Sequence, residues 1–311
     1  MSSALSVLVP VLVAGLAWGL NAPASKLLYA AGDGRLFDGV TLAVARSVWS
    51  LPVFVAAAFL VRPRGLRLRS GDLARFAWLG VLFGPGLTGV FAVAAQWTSA
   101  AHVVLITGLT PPATALIESL IQRRRLSVGG WAAIGLGVAG VALLSFTRSA
   151  TGSTPQGDLL MLVWVASYAW FVLLTRALTE RYPAPFLSVL STGGGALIVA
   201  VVGIAAGAGG AVGHAFASPG VAAWFFGEIV VALGLIGPIA NVVAIRRSSA
   251  TIATTGALYA SVAAGLLAAV LLVHERLAPS AVAAGVLLLA SLALTFSPRG
   301  PRVAAAATSA E

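Results

Sequence analysis

The chain has 311 residues, 59% of them hydrophobic and 9% charged, with a mean hydropathy of +1.00. Polar surface this sparse cannot cover a water-soluble globule of that length, which assigns the chain to the membrane. The formal charge of +10 does not signal a nucleic-acid binder, because the arginines sit in short loops between apolar runs, and the absence of cysteine excludes disulfides, thiolate catalysis and cysteine-ligated metals.

A bilayer core about 30 Å thick takes roughly 20 apolar residues in a helix. In chain order the apolar runs cover 5–27, 38–61, 74–95, 101–121 and 128–147, then 158–175, 185–207, 222–245, 252–273 and 279–297. The expected fold is an all-α integral membrane protein of ten transmembrane helices. Expected units are 1–150 with helices one to five, 151–298 with helices six to ten, and a disordered cytoplasmic tail at 299–311.

Span one presents Trp18, Asn21 and Ser25 at helical spacing, with Pro23 loosening the turn and Lys26 at its end. Residues 4–20 followed by Ala22-Pro23-Ala24 have the outline of a signal peptide, but no Lys or Arg precedes the apolar run, so retention is expected. Span two carries Arg46 well inside, where a charge is costly and is expected to find a carboxylate or carbonyl inside the protein. In span four Thr107, Pro111, Thr114 and Glu118 fall on one face, with Thr110 beside them and Pro111-Pro112 breaking the backbone ladder. These threonines either line a cavity or donate back to their own helix. Glu118 serves either in a salt bridge with Arg123–Arg125 or as a proton or cation site.

Gly135, Gly137 and Gly140 in span five spell a dinucleotide fingerprint, but no strand precedes them, so close helix packing is expected, as for Gly193–Gly195 in span seven. Span six answers span one with Trp164, Tyr168 and Phe171 on one face, deep enough for a cavity wall rather than an interfacial belt. Span eight holds Glu228, the favoured candidate for a titrating coupling group, and Asn241. Span nine holds Thr254 and Ser261 on one face. His102, His214 and His274 fall in or near outer loops and build no metal site. No catalytic constellation or phosphate-binding loop is present, so neither an enzyme nor ATP hydrolysis is expected, and no cofactor or metal is called for.

The two halves repeat. Trp18-Gly19 with Lys26 recurs 150 residues later as Tyr168-Ala169 with Arg176, Gly84 meets Gly234, and Thr98 meets Ser248. Arg123–Leu126 falls 151 residues before His274–Leu277. Most of the nineteen basic residues lie in the loops after spans two, four, six, eight and ten, which places these loops and both termini in the cytoplasm. With five spans per half, the second copy enters from the opposite side, so the halves are inverted repeats.

Trp18-Gly19-x-Asn21 with Lys26, Arg46, Leu109-Thr110-Pro111, Gly157-Asp158-Leu159-Leu160 and Glu275-Arg276-Leu277 together resemble the drug/metabolite transporter superfamily, in particular the ten-helix EamA-type permeases. Arg124 stands where that pattern usually has Glu, and Ser261-Val262 where it usually has Pro. The resemblance implies a secondary transporter of the cell's inner membrane, with helices one to four and six to nine around a central cavity. It further implies export of a small metabolite, amino acid, analogue or drug-like compound, commonly against protons. Residues expected to line the solute path are Trp18, Asn21, Arg46, Thr107, Thr110, Thr114, Tyr168, Asn241 and Ser261, with Glu228, Glu118 and Lys26 as the charges that couple or anchor. Expected partners are a small solute and the lipid bilayer, with the chain a monomer or homodimer. Uptake of a metabolite is the alternative within this class, and a non-transporting membrane sensor or scaffold the alternative outside it.

Overall fold

The computed structural model describes residues 3–61, 68–123, 125–146, 153–179, 181–237, 240, 243–244 and 250–296. Among these residues all regular structure is helical. In chain order the helices are α1 Ser3–Gly19, α2 Asn21–Gly34, α3 Gly39–Val61, α4 Ser70–Val81, α5 Val90–Trp97, α6 Ala100–Thr107, α7 Thr110–Ile121, α8 Val128–Phe146, α9 Pro155–Thr179 and α10 Ala184–Ala205. Then come α11 Pro219–Ala222, α12 Ala250–Leu271 and α13 Pro279–Phe296. Asn241, Arg124 and the expected tail at 299–311 lie outside the described residues.

Among the described residues five apolar helices are long enough to cross a bilayer: Leu5–Gly34, Gly39–Val61, Ser70–Trp97, Pro155–Leu178 and Pro185–Ala205. Two bent pairs raise the number to seven, one being Ala100–Thr107 with Thr110–Ile121, bent by 41°. Its break comes where Pro111 and Pro112 occupy the first turn of α7 and supply no amide hydrogen for the ladder. The other pair is Ala208–Phe216 with Pro219–Ala232, bent by 103°, so the run expected as span eight is entered by a sharply turned segment. Val128–Leu144, Gly256–Leu271 and Pro279–Leu294 are apolar but shorter.

Two stretches are π-helical, Leu82–Gly89 between α4 and α5 and Ala223–Ile236 after α11. One extra residue per turn leaves backbone groups out of register, a distortion often found at functional positions. Gly84 and Gly234, matched in the sequence repeat, each fall in one of them.

Lipid tails are as apolar as leucine, so the helices hold together by close packing rather than by hydrophobic exclusion. α1 packs on α12, α3 on α10, and α8 on α13; α9 packs on α5, α6 and α7, and α10 also on α4 and the first π-helical stretch. The second π-helical stretch packs on α1, α2 and α3. Small residues set the closest approaches. A Cβ added to Gly195 of α10 would lie 2.6 Å from the Gly84 amide nitrogen and 2.9 Å from the Gly80 carbonyl oxygen, so two backbones touch there. The Gly137 and Gly140 positions of α8 likewise abut Ser291 and Leu288 of α13, which makes these two glycines of the fingerprint packing residues, whereas a Cβ at Gly135 would meet nothing.

Candidate functional site

The polar residues fall into three layers along the bundle. In the middle, a Cβ at Gly19 would collide with the Ser261 carbonyl, and Gly265 lies against Val104 of α6. These contacts draw together the end of α1, the middle of α12 and the helix carrying Thr107. Trp18 is half-buried with its indole nitrogen against Gly237, at the end of the second π-helical stretch. Asn21 is buried and its side-chain oxygen has no hydrogen-bond partner, while the Ser25 hydroxyl donates to the Asn21 carbonyl at 2.8 Å. Ser261 is buried. Thr107 donates to the Val104 carbonyl at 2.5 Å, Thr110 to the Thr107 carbonyl, and Thr114 to the Thr110 carbonyl at 2.7 Å. All three threonine protons are thus used within their own bent span. The oxygens keep accepting capacity toward any neighbour.

Tyr168 is half-buried and stacks on Trp164, with ring centroids 5.4 Å apart. Trp164 in turn donates to the Leu87 carbonyl at 3.0 Å, inside the first π-helical stretch. The irregular ladder there frees a carbonyl for a side chain, which fixes the aromatic pair. Glu228, in the other π-helical stretch, is buried with one carboxylate oxygen lacking any partner. Arg46 is half-buried and makes no hydrogen bond or ion pair with a described residue. The carboxylate or carbonyl partner expected for it is not there; its electrostatic neighbour is Tyr29, whose hydroxyl already donates to the Ala92 carbonyl at 2.7 Å.

At the arginine-rich end, Glu118 accepts from Arg176 at 2.9 Å and from Gln122 at 3.0 Å. Arg123 and Arg125 are not its partners: α7 packs along α9, and this brings in a cation 58 residues away. The Arg176 side chain is 71% exposed while one guanidinium nitrogen holds Glu118. Beside it, buried Asp72 receives Arg75 at 3.0 Å, Arg181 at 3.0 Å and the Tyr182 hydroxyl at 3.0 Å.

At the other end, Asp158 accepts from Thr98 at 2.5 Å and faces His102 Nδ1 at 3.1 Å, with all three side chains sealed from solvent. His102, placed near an outer loop by its sequence position, is instead 2% exposed and pairs with a carboxylate from the second half. Glu275 accepts from the Ala100 and Ala101 amides at 2.6 and 3.0 Å, satisfying free N–H groups at the start of α6. Lys26 lies within the field of Glu275 and donates to the Gln96 carbonyl at 3.4 Å. Removing the Asp158 carboxylate strands a buried hydroxyl and a ring nitrogen. Asp158→Ala is expected to cost about 2–4 kcal/mol and Asp158→Asn about half of that. Thermal unfolding of the purified chain in detergent measures both, and equal midpoints for all three proteins would refute the role.

Residues 5–146 match the model of the EamA-like transporter family. The match, over the first of the two expected repeats, supports membership of the drug/metabolite transporter superfamily. Among curated proteins none matches. A solved crystal structure, named only as that of a protein, is 18% identical, covers 94% of this chain and 96% of its own, and superposes with a TM-score of 0.56, a likeness of fold alone. EamA-like proteins are multi-pass membrane transporters of small solutes, in keeping with the apolar helices above.

Two motif residues of the EamA-like resemblance acquire concrete roles. Asp158, quoted only as part of Gly157–Leu160, is the acceptor that closes the buried cluster, and Glu275 is a helix cap. The Asp72–Arg181–Tyr182 network was missed, although an aspartate just ahead of the apolar run at 74–95 was a visible signal. Among the described residues no three His, Asp or Glu side chains converge as a metal site.

Proposed function

We propose that this EamA-like chain is a secondary active transporter of the inner membrane. It exports a small metabolite by alternating access, with ten helices in two inverted halves and Glu228 coupling transport to protons. The packing between the halves carries this reading. The contact of α1 with α12 is answered by that of α9 with α6 and α7, and the contact of the first π-helical stretch with α10 by that of the second with α3. A pair of inverted copies about one axis in the membrane plane generates reciprocity of this kind. Each copy also carries a π-helical stretch in the corresponding span, the two overlapping in part at the repeat offset through Gly84 and Gly234.

Trp18 and Asn21 flank Gly19, which lies against Ser261 of α12, and Tyr168 is fixed by its stack on Trp164. In this reading they form the walls of the solute path with Thr107, Thr110, Thr114 and, in the undescribed stretch, Asn241. Cells making the intact protein are expected to hold less of one metabolite and to release more of it. Trp18→Ala with Tyr168→Ala, at equal abundance in the membrane, is expected to lower that flux at least about tenfold, as loss of two aromatic contacts warrants. Comparison of intracellular and extracellular metabolites reads the result. Accumulation inside instead would assign uptake, and no change in any solute would remove the transporter reading.

A further inference from the structure

We propose that Arg46 is the anion receptor of the solute path, so that the solute carried by this protein bears a carboxylate. The proposal rests on the transporter reading above and names the chemistry of its cargo. Gly39, Ala43, Arg46 and Ser50 recur at spacings of four, three and four, and so share one face of α3. At its outer end this face abuts the backbone of Ala92 and Val93 in α5, where a Cβ on Gly39 would have no room. Arg46 therefore looks into the bundle, not toward lipid.

A guanidinium at this depth costs about 2.5–3.5 kcal/mol on insertion scales and is normally paired inside the protein. The described carboxylates are engaged elsewhere or stand apart from it. Asp72 holds Arg75 and Arg181, Glu118 holds Arg176, Asp158 holds His102 and Thr98, and Glu275 caps α6. Asp38 is bound to Thr41 at the corner before α3. Glu228, on an element that packs on α3, makes no ion pair with Arg46 and leaves an oxygen unpartnered. Arg46 is half-buried rather than sealed, so its planar fork of donors remains open to a ligand inside the bundle. A carboxylate matches that fork with two parallel hydrogen bonds. Lys26, three residues before Tyr29 on α2, already lies in the field of Glu275 and turns to a backbone carbonyl. One uncommitted positive charge fits a singly charged carboxylate better than a phosphate dianion.

The test uses the full chain, purified and reconstituted, with probes that differ only at the acid group. Alanine, lactate and benzoate are set against alaninamide, lactamide and benzamide, with inorganic phosphate alongside. Phenylglyoxal modifies accessible guanidinium groups, and peptide mass spectrometry follows its attack on Arg46. The acids are expected to slow modification of Arg46 while the amides do not. Protection by none of the acids, equal protection by acids and amides, or protection by phosphate alone would each overturn the proposal. This arm uses the natural sequence, so it stands even where a variant fails to fold.

In cells, Arg46→Gln is expected to reduce release of the carboxylate solute at least about tenfold at unchanged membrane abundance, the worth of a paired guanidinium, with Arg46→Lys retaining part. Release of a carboxylate by Arg46→Gln at the intact rate, or release only of solutes without an acid group, would sink the proposal and leave the transporter reading in place. If the intact protein moves nothing, that reading falls, and the protection experiment still judges the chemistry of Arg46.

Discussion

Gly195→Val is expected to be the most damaging single change in the bundle. Its first added carbon would sit 2.6 Å from the Gly84 amide nitrogen and 2.9 Å from the Gly80 carbonyl oxygen, and neither backbone atom can turn aside as a side chain would. α10 must then move away from the first π-helical stretch along its whole contact, losing the dispersion that substitutes for hydrophobic exclusion in lipid. Overpacking of this kind costs about 3 kcal/mol at the upper end of its usual range, with Gly195→Ala losing less because one methyl needs a smaller shift. Membrane abundance and the thermal midpoint of the purified protein should fall in the order Gly, Ala, Val. A valine variant as abundant and as stable as the parent would show that the two helices have slack there. The same substitution at Gly194, where a Cβ meets nothing, serves as the control and is expected to be mild.

Glu275→Ala comes next. Glu275 is 9% exposed, and its carboxylate supplies the acceptors for two amides that the helical ladder of α6 leaves open. Both bonds are charge-assisted, and the negative group sits at the positive end of the helix. Alanine leaves two buried donors without acceptors, a loss of about 2–4 kcal/mol, and glutamine, which keeps one oxygen, should recover about half. Chemical unfolding in detergent distinguishes the three proteins. If alanine and glutamine destabilise equally, the negative charge rather than the hydrogen-bond count is what α6 requires; if neither destabilises, the capping role is wrong.

The spans were readable because bilayer thickness acts on every residue of a helix at once. Runs such as 38–61 and 185–207 differ from Gly39–Val61 and Ala184–Ala205 by a residue or two. The break in span four was readable too, since two prolines carry their steric rule with them. The two π-helical stretches and the 103° turn before Pro219 were not, because irregular ladders depend on what packs alongside, and nothing in Leu82–Gly89 forbids an ordinary helix.

Charge pairing shows the same division. Neighbours on one helix are found by counting three or four residues, which suggested Arg123–Arg125 for Glu118. The actual partner, Arg176, lies on another helix, and so does Asp158 for His102. Local spacing carries no information about such pairs. Of the expected path residues, Trp18 and Asn21 flank Gly19, whose close approach to Ser261 depends on the partner helix and is not written in local spacing. Arg46 was singled out by depth alone, and its lack of a partner could be learned only from the three-dimensional arrangement.

The ties at the two ends of the bundle differ in kind. Arg176 and Arg181 reach their carboxylates from side chains that are 71% and 45% exposed, while Asp158 and His102 meet with only 4% and 2% of their side chains accessible. Dissolved ions screen exposed charges over a Debye length of about 8 Å at physiological strength, and scarcely reach a sealed pair. Ionic strength is therefore expected to weaken the ties at the arginine-rich end, whose cations stand in solvent although Asp72 and Glu118 are buried, more than the sealed pair at the other end.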